Sequence, residues 1–284
     1  MKTNFIRLTA ILLLFISALS FAQKDFQGKA YYQTKTTLDM NRFEGRQMSE
    51  DQKKRIAERM KSMFEKTYIL TFNQIESIYK EEEKLEAPGT RGGRWRGMMG
   101  SFTPGDLYKN VKEQTLLQGQ EFFGKQFLIK DSLPQLKWVM GSETKQIGTY
   151  TCFKATAIKT KTDFDFNRFR RPPEHRGKKE MINGKEERPI QVEVVVWYTP
   201  QIPVNQGPGG YWGLPGLILE VNEGRTTILC SKIVINPEEK DIIKAPSKGK
   251  EVSKETYHAI VKKKTEEMRE NFRRDGGRPG GRRR

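Results

Sequence analysis

Residues 210–224 read GYWGLPGLILEVNEG, and a glycine-fenced Leu-Pro-Gly-Leu of this kind has two chemical uses to test. A phosphate-cradling loop needs a strand before it, a helix after it and a Lys-Ser/Thr pair beyond its last glycine. Here LILEV, which is strand sequence, follows Gly216, and Pro215 removes an amide donor. A nucleophile elbow needs a nucleophile at its tip, and this one offers proline. Both uses fail. A turn remains: Pro215 drives Leu214 toward extended backbone, and Pro215-Gly216 suits the centre of a type II turn, where glycine takes positive φ. Leu214 and Leu217 then flank it as apolar anchors, with Gly213 before and Ile218 after. Tyr211 and Trp212 either pack on a sheet edge or project as a flap at the sheet's mouth.

Other reactive residues are sparse. His175 and His258 are the only histidines, one beside prolines and one on a basic helix. No histidine pair or cysteine motif has metal-ligand spacing, and no Gly-x-Ser-x-Gly occurs. The expectation is a protein without catalytic, metal-binding or cofactor-binding residues. The stripe Ile56, Met60, Met63 and Phe64 reads as the core face of a helix rather than a copper site. Cys152 and Cys230 are the only cysteines. They are read as a disulfide or as two buried thiols on separate strands.

The first 22 residues have the form of an export signal. Lys2 and Arg7 precede the apolar run LTAILLLFISALS, and Ser20-Phe21-Ala22 precedes Gln23 as a small-x-small cleavage site. The apolar run is short for a membrane-spanning helix, which needs about 20 residues. Export removes nucleic acid from the expected partners, although TRGGRWRGMMG, with Trp95, and DGGRPGGRRR look like Arg-Gly elements that bind RNA elsewhere. The formal charge of +17 instead suits an anionic membrane surface or polymer.

The elements that must carry the motif are mostly strands. GKAYYQTKTTLDM reads as a strand over 29–38, and MSEDQKKRIAERMKSMFEKT as a helix capped by Ser49. YILTFNQIESIYKEEE reads as a hairpin turning near Asn73. Strands continue through 107–131, with turns at Gly119 and Gly124, and resume beyond Gly148 in a strand bearing Cys152. IQVEVVVWYTP, with apolar residues on both faces and Trp197 on one of them, predicts a central strand ended by Pro200. Asn222-Glu223-Gly224 predicts a three-residue hairpin. A single β-rich domain over 23–250 is thus expected, with insertions at 86–105 and 163–189. An amphipathic helix follows over 251–274, with Tyr257, Val261, Met268 and Phe272 on its seam, and a disordered tail over 275–284. The fold expected is mainly β with two flanking helices: a curled antiparallel meander, open like a half-barrel.

Gly213-Leu214-Pro215-Gly216-Leu217-Ile218 resembles the signature of the GLPGLI family of exported Gram-negative envelope proteins. Trp197, Thr199, Ile202, Pro203, Gly207 and Pro208 fit its neighbouring block. Trp138, Thr144, Lys145, Ile147, Tyr150, Cys152, Lys154 and Ala155 fit its upstream segment. The resemblance implies export and a place in the periplasm or at the outer membrane. Some members are encoded near TonB-dependent receptors, and the family has no established activity. Two functions are expected from this. One is a non-enzymatic binding or accessory protein that holds a hydrophobic or lipid ligand, by analogy with lipoprotein-carrier folds, using Trp197 and residues 211–218. The other is an interaction module that docks on an outer-membrane receptor or envelope assembly. An enzyme or metal binder of unrecognised type is a third.

Overall fold

The computed structural model describes residues 26–37, 49, 51, 65–82, 105–161 and 190–275. These form one mainly antiparallel open sheet. Its strands are β1 (Gly28–Thr36), β2 (Glu65–Phe72), β3 (Glu76–Glu81), β4 (Leu107–Asn110), β5 (Thr115–Phe122), β6 (Lys125–Ser132), β7 (Val139–Ile147), β8 (Tyr150–Lys161), β9 (Ile190–Thr199), β10 (Leu217–Glu223), β11 (Thr226–Ile235) and β12 (Lys250–Val252). The spatial order is β12-β6-β5-β4-β3-β2-β1-β11-β10-β9-β8-β7.

That order is two meanders, β1 to β6 and β7 to β11, joined where β1 pairs β11 with Gly28 opposite Ile235. The chain ends its sheet work with β12, parallel on the free edge of β6. The expected antiparallel meander is therefore present, but as two meanders joined side by side through the first and eleventh strands, with β12 and β7 at the edges of an open sheet.

Local chemistry accounts for most turns. Asn73 Oδ1 accepts from the amides of Ile75 (2.8 Å) and Glu76 (2.6 Å), turning β2 into β3 as expected. Asn110 Oδ1 does the same for Lys112 (3.0 Å) and Glu113 (2.9 Å). This places the β4–β5 turn before Thr115, so the turn expected at Gly119 is corrected: Gly119 sits inside β5, opposite Leu128. Gly124 and Gly148 do turn, at φ +73° and +59°. The β10–β11 connection is also tighter than expected. Glu223 still pairs Thr226, so the loop is Gly224-Arg225, with Gly224 at φ +60°.

The strand β9 is interior, between β8 and β10, and buries Val194, Val196 and Tyr198 on one side. Among the described residues there is one helix, α1 (Lys254–Asp275). Ser253 Oγ accepts the Thr256 amide at 3.1 Å and caps it. Val261, with Tyr257 and Ile260 beside it, packs on Phe122, Phe127, Ile129 and Val252. Most of the helix expected from Ser49, the insertion over 86–105 except Gly105, the insertion over 163–189, and the tail over 275–284 except Asp275, which ends α1, lie outside the described residues. No described helix is long and apolar enough to cross a membrane.

Candidate functional site

The connection from Thr199 at the end of β9 to Leu217 at the start of β10 carries the signature residues. It is folded inward. Tyr211, Trp212, Leu214, Leu217 and Ile218 are all buried, Leu214, Leu217 and Ile218 completely. Of the two placements open to Tyr211 and Trp212, packing is the one observed.

The loop feeds three separate cores. Ile202, Val204 and Leu217 join Ala30, Tyr32, Leu70, Phe72 and Tyr79. Tyr211, Leu214 and Ile218 join Ala155, Val194 and Val196. Trp212 completes a third with Leu116 and Leu133. Leu214 and Leu217 are both anchors, as expected, but in different clusters. Each such side chain contributes about 1.5–3 kcal/mol by burial.

Backbone chemistry explains the glycines, with one correction. The positive φ lies at Gly213 (+91°), whereas Gly216 is absent from the left-handed region. The type II turn therefore does not form. A Cβ on Gly216 would stand 2.2 Å from the Thr199 carbonyl oxygen, so close approach of the loop to the end of β9 is what excludes a side chain there.

Side chains from distant strands then tie the loop down. Ser77 on β3 donates to Gln206 Oε1 at 2.8 Å. Lys109 on β4 donates from Nζ to the carbonyls of Gly207 (2.6 Å) and Tyr211 (3.0 Å). In the sheet order, β11, β1 and β2 lie between β10 and these two strands. Tyr32 on β1 reaches the Ile218 carbonyl at 2.7 Å, over the intervening β11. Trp138 Nε1 donates to the Trp212 carbonyl (2.8 Å), and Trp212 Nε1 to that of Pro134 (2.7 Å).

The Tyr211 hydroxyl donates to Glu223 Oε2, which also pairs with Lys159 at 3.2 Å. Lys159 lies 5.0 Å above the Tyr211 ring. Burial first, then the Glu223 carboxylate, raises the Tyr211 phenol, so it stays protonated. Trp197 sits apart from this loop face. It packs at the first core, with Lys145 5.5 Å over its ring and that lysine paired to Glu220 at 2.6 Å.

Of the two readings open for the cysteines, two buried thiols on separate strands is the one observed. Cys152 and Cys230 are free thiols, buried in one apolar cluster. Burial pushes their thiols up, to about 11 and about 12. Among the described residues no group of three or more His, Cys, Asp or Glu is arranged to hold a metal. His258 is half-buried on α1 and lowered by desolvation, and His175 lies outside the described residues. The residues missed by sequence reasoning are Ser77, Lys109 and Gln206. With only four residues in β4, LYKN, alternation cannot tell an inward lysine from an outward one.

Comparison with known proteins gives a family-model match over part of the chain and distant similarity to solved structures. The family described as "Protein of unknown function (Porph_ging)" matches residues 138–220, which run from the start of β7 into β10 and include the signature loop. No curated protein matches the chain. Two solved structures described as PNGF-II, in space groups C2 and P21, are similar at 15% and 14% identity. Their TM-scores are 0.45 and 0.46, with 83% of this chain covered in each. The chain spans about a third of their length, 32% and 33%.

Proposed function

We propose that this chain is a non-enzymatic accessory protein of the Gram-negative cell envelope, of the GLPGLI type, that acts by docking on an envelope protein or receptor. The observation that carries this reading is the burial of Tyr211, Trp212, Leu214 and Ile218 in the core. Aromatic residues that close a core are spent on the fold, so recognition falls to the outside. There β7 is an exposed edge strand with Val139 and Met140 in solvent. Most of the +17 charge also lies outside the described strands and α1. Basic segments of this kind suit an acidic partner or an anionic membrane surface. The test is crosslinking in cells, with and without residues 275–284, followed by the same experiment on a chain lacking 163–189. Capture of one envelope protein, lost with the basic segments, supports docking; no capture from any form overturns it.

A second reading, carriage of a hydrophobic or lipid ligand in a half-barrel resembling lipoprotein-carrier folds, draws on one contact that spans two strand spacings. Strands β1 and β10 would stand about 10 Å apart in a flat sheet at ~4.8 Å per strand. Tyr32 nevertheless reaches the Ile218 carbonyl at 2.7 Å. Native mass spectrometry of protein taken from its own envelope separates the two: a co-purifying lipid mass supports carriage, and a bare mass supports docking.

A further inference from the structure

Lys109 is completely buried under the signature loop, directly opposite Ser77 on β3 and Leu116 on β5. Its Nζ donates to the Gly207 and Tyr211 carbonyls at 2.6 and 3.0 Å. Hydrogen-bond arithmetic then bears on its charge. An ammonium has three donors and no acceptor, whereas an amine has two donors and a lone pair. The two carbonyls use two N–H groups. Beside them Gln206, itself completely buried, spends Oε1 on Ser77 and leaves Nε2 without an acceptor. An ammonium would bury a third N–H for which the described residues show no acceptor, and a buried donor left unpaired costs free energy. An amine has only the two N–H groups that the carbonyls take, and leaves no third donor buried.

Among the described residues the surroundings supply no counter-charge. Strand β3 brings Ser77 and Tyr79 to this face, while its Glu76 bonds Tyr108 and its Lys80 pairs with Asp106. Strand β5 brings Leu116 and Gln118. The loop brings Gln206 and Tyr211, whose hydroxyl is committed to Glu223, itself paired with Lys159. Leu116, opposite Lys109, packs with Leu133 and Trp212 in an apolar cluster. Among the described residues no carboxylate forms a salt bridge with Lys109.

We propose that Lys109 is held as a neutral amine in the closed fold and acts as a proton-released latch on the signature loop. Taking up a proton strands a cation with no counter-charge beneath residues 205–216 and favours the loop's release. Desolvation pushes the buried amine down to about 7, whereas release into solvent restores the ordinary value of about 10.4. Between these values only the open form binds the proton. Opening therefore grows about tenfold for each pH unit lost from about 10 to about 7, then levels off where both forms are charged.

The test uses the full chain. Carbon-13 labelling of lysine Cε should reveal one lysine titrating near pH 7, and Lys109→Met should remove that signal. Hydrogen exchange at the amides of Gly213 and Ile218, which bond the Asn205 and Gln206 carbonyls, should report opening. Corrected for intrinsic rates, the opening constant should fall about tenfold per unit from pH 7 to 9 in the unaltered protein and stay flat in Lys109→Met. Gln206→Glu supplies the missing carboxylate and should move the titration above the neutral range. Should Lys109→Met fail to fold, the unaltered protein and Gln206→Glu decide. A Lys109 that titrates near 10 in the unaltered protein, or equal pH slopes with and without the amine, overturns the latch.

Discussion

Trp138 and Trp212 stand 74 residues apart in sequence, yet the indole N–H of Trp138 donates to the Trp212 carbonyl at 2.8 Å. Trp212 in turn donates to the Pro134 carbonyl at 2.7 Å, so the segment entering β7 and the signature loop hold each other at two points. Trp138→Phe keeps most of the packing and removes the donor, leaving a carbonyl without its partner. The expected loss is about 1–2 kcal/mol in urea denaturation. An unchanged midpoint would show that solvent replaces the indole.

Gly216→Ala drives a Cβ to 2.2 Å from the Thr199 carbonyl oxygen, a backbone atom that cannot step aside cheaply. Gly210 has nothing within 4 Å of its Cβ position and is not among the positive-φ residues. Gly216→Ala should cost more than about 3 kcal/mol, and Gly210→Ala within about 0.5 kcal/mol. Thermal melts of the two variants side by side check the contrast.

Leu214 is completely buried among Val194, Val196, Tyr211 and Ile218. Truncation to alanine removes its burial and leaves a cavity in a core framed by strand backbone, at a cost of about 2–5 kcal/mol. Equilibrium denaturation measures this. A loss below about 1 kcal/mol would mean that the loop is not part of the cooperative core.

Cys152 and Cys230 are pushed up to about 11 and about 12 by burial, so at pH 8 almost none of either is thiolate in the fold. Both should resist a disulfide-exchange thiol reagent at pH 8 in the native protein and react fully in denaturant. Reactivity should rise toward pH 11 if the fold survives there, because deprotonation then becomes accessible. Rapid native labelling at pH 8, or no labelling after unfolding without reductant, would contradict two free buried thiols.

Much of the sheet is written in local sequence. Asn73, Gly124 and Gly148 mark turns because an Asx side chain or a positive φ serves one turn and depends on few distant atoms. The run IQVEVVVWYT announces an interior strand because both of its faces are apolar. The Leu-Pro-Gly-Leu run is legible as a connection that leads into a strand, because LILEV follows it. The detail inside it was less legible: Gly213 takes the positive φ, and Gly216 is glycine because the Thr199 carbonyl lies against it.

What local pattern could not decide depends on pairs far apart in the chain. The joining of two meanders through β1 and β11 brings Gly28 opposite Ile235, a choice between sheet edges that period-2 alternation does not encode. The inward aim of Lys109 and its meeting with Gly207 and Tyr211 depend on that joining, because hydrogen bonds across about 100 residues exist only once the intervening strands are in place. Short-range backbone preference selects strands and turns. Long-range burial selects which of their polar groups end up enclosed, and so where, among the described residues, a lysine is fully buried.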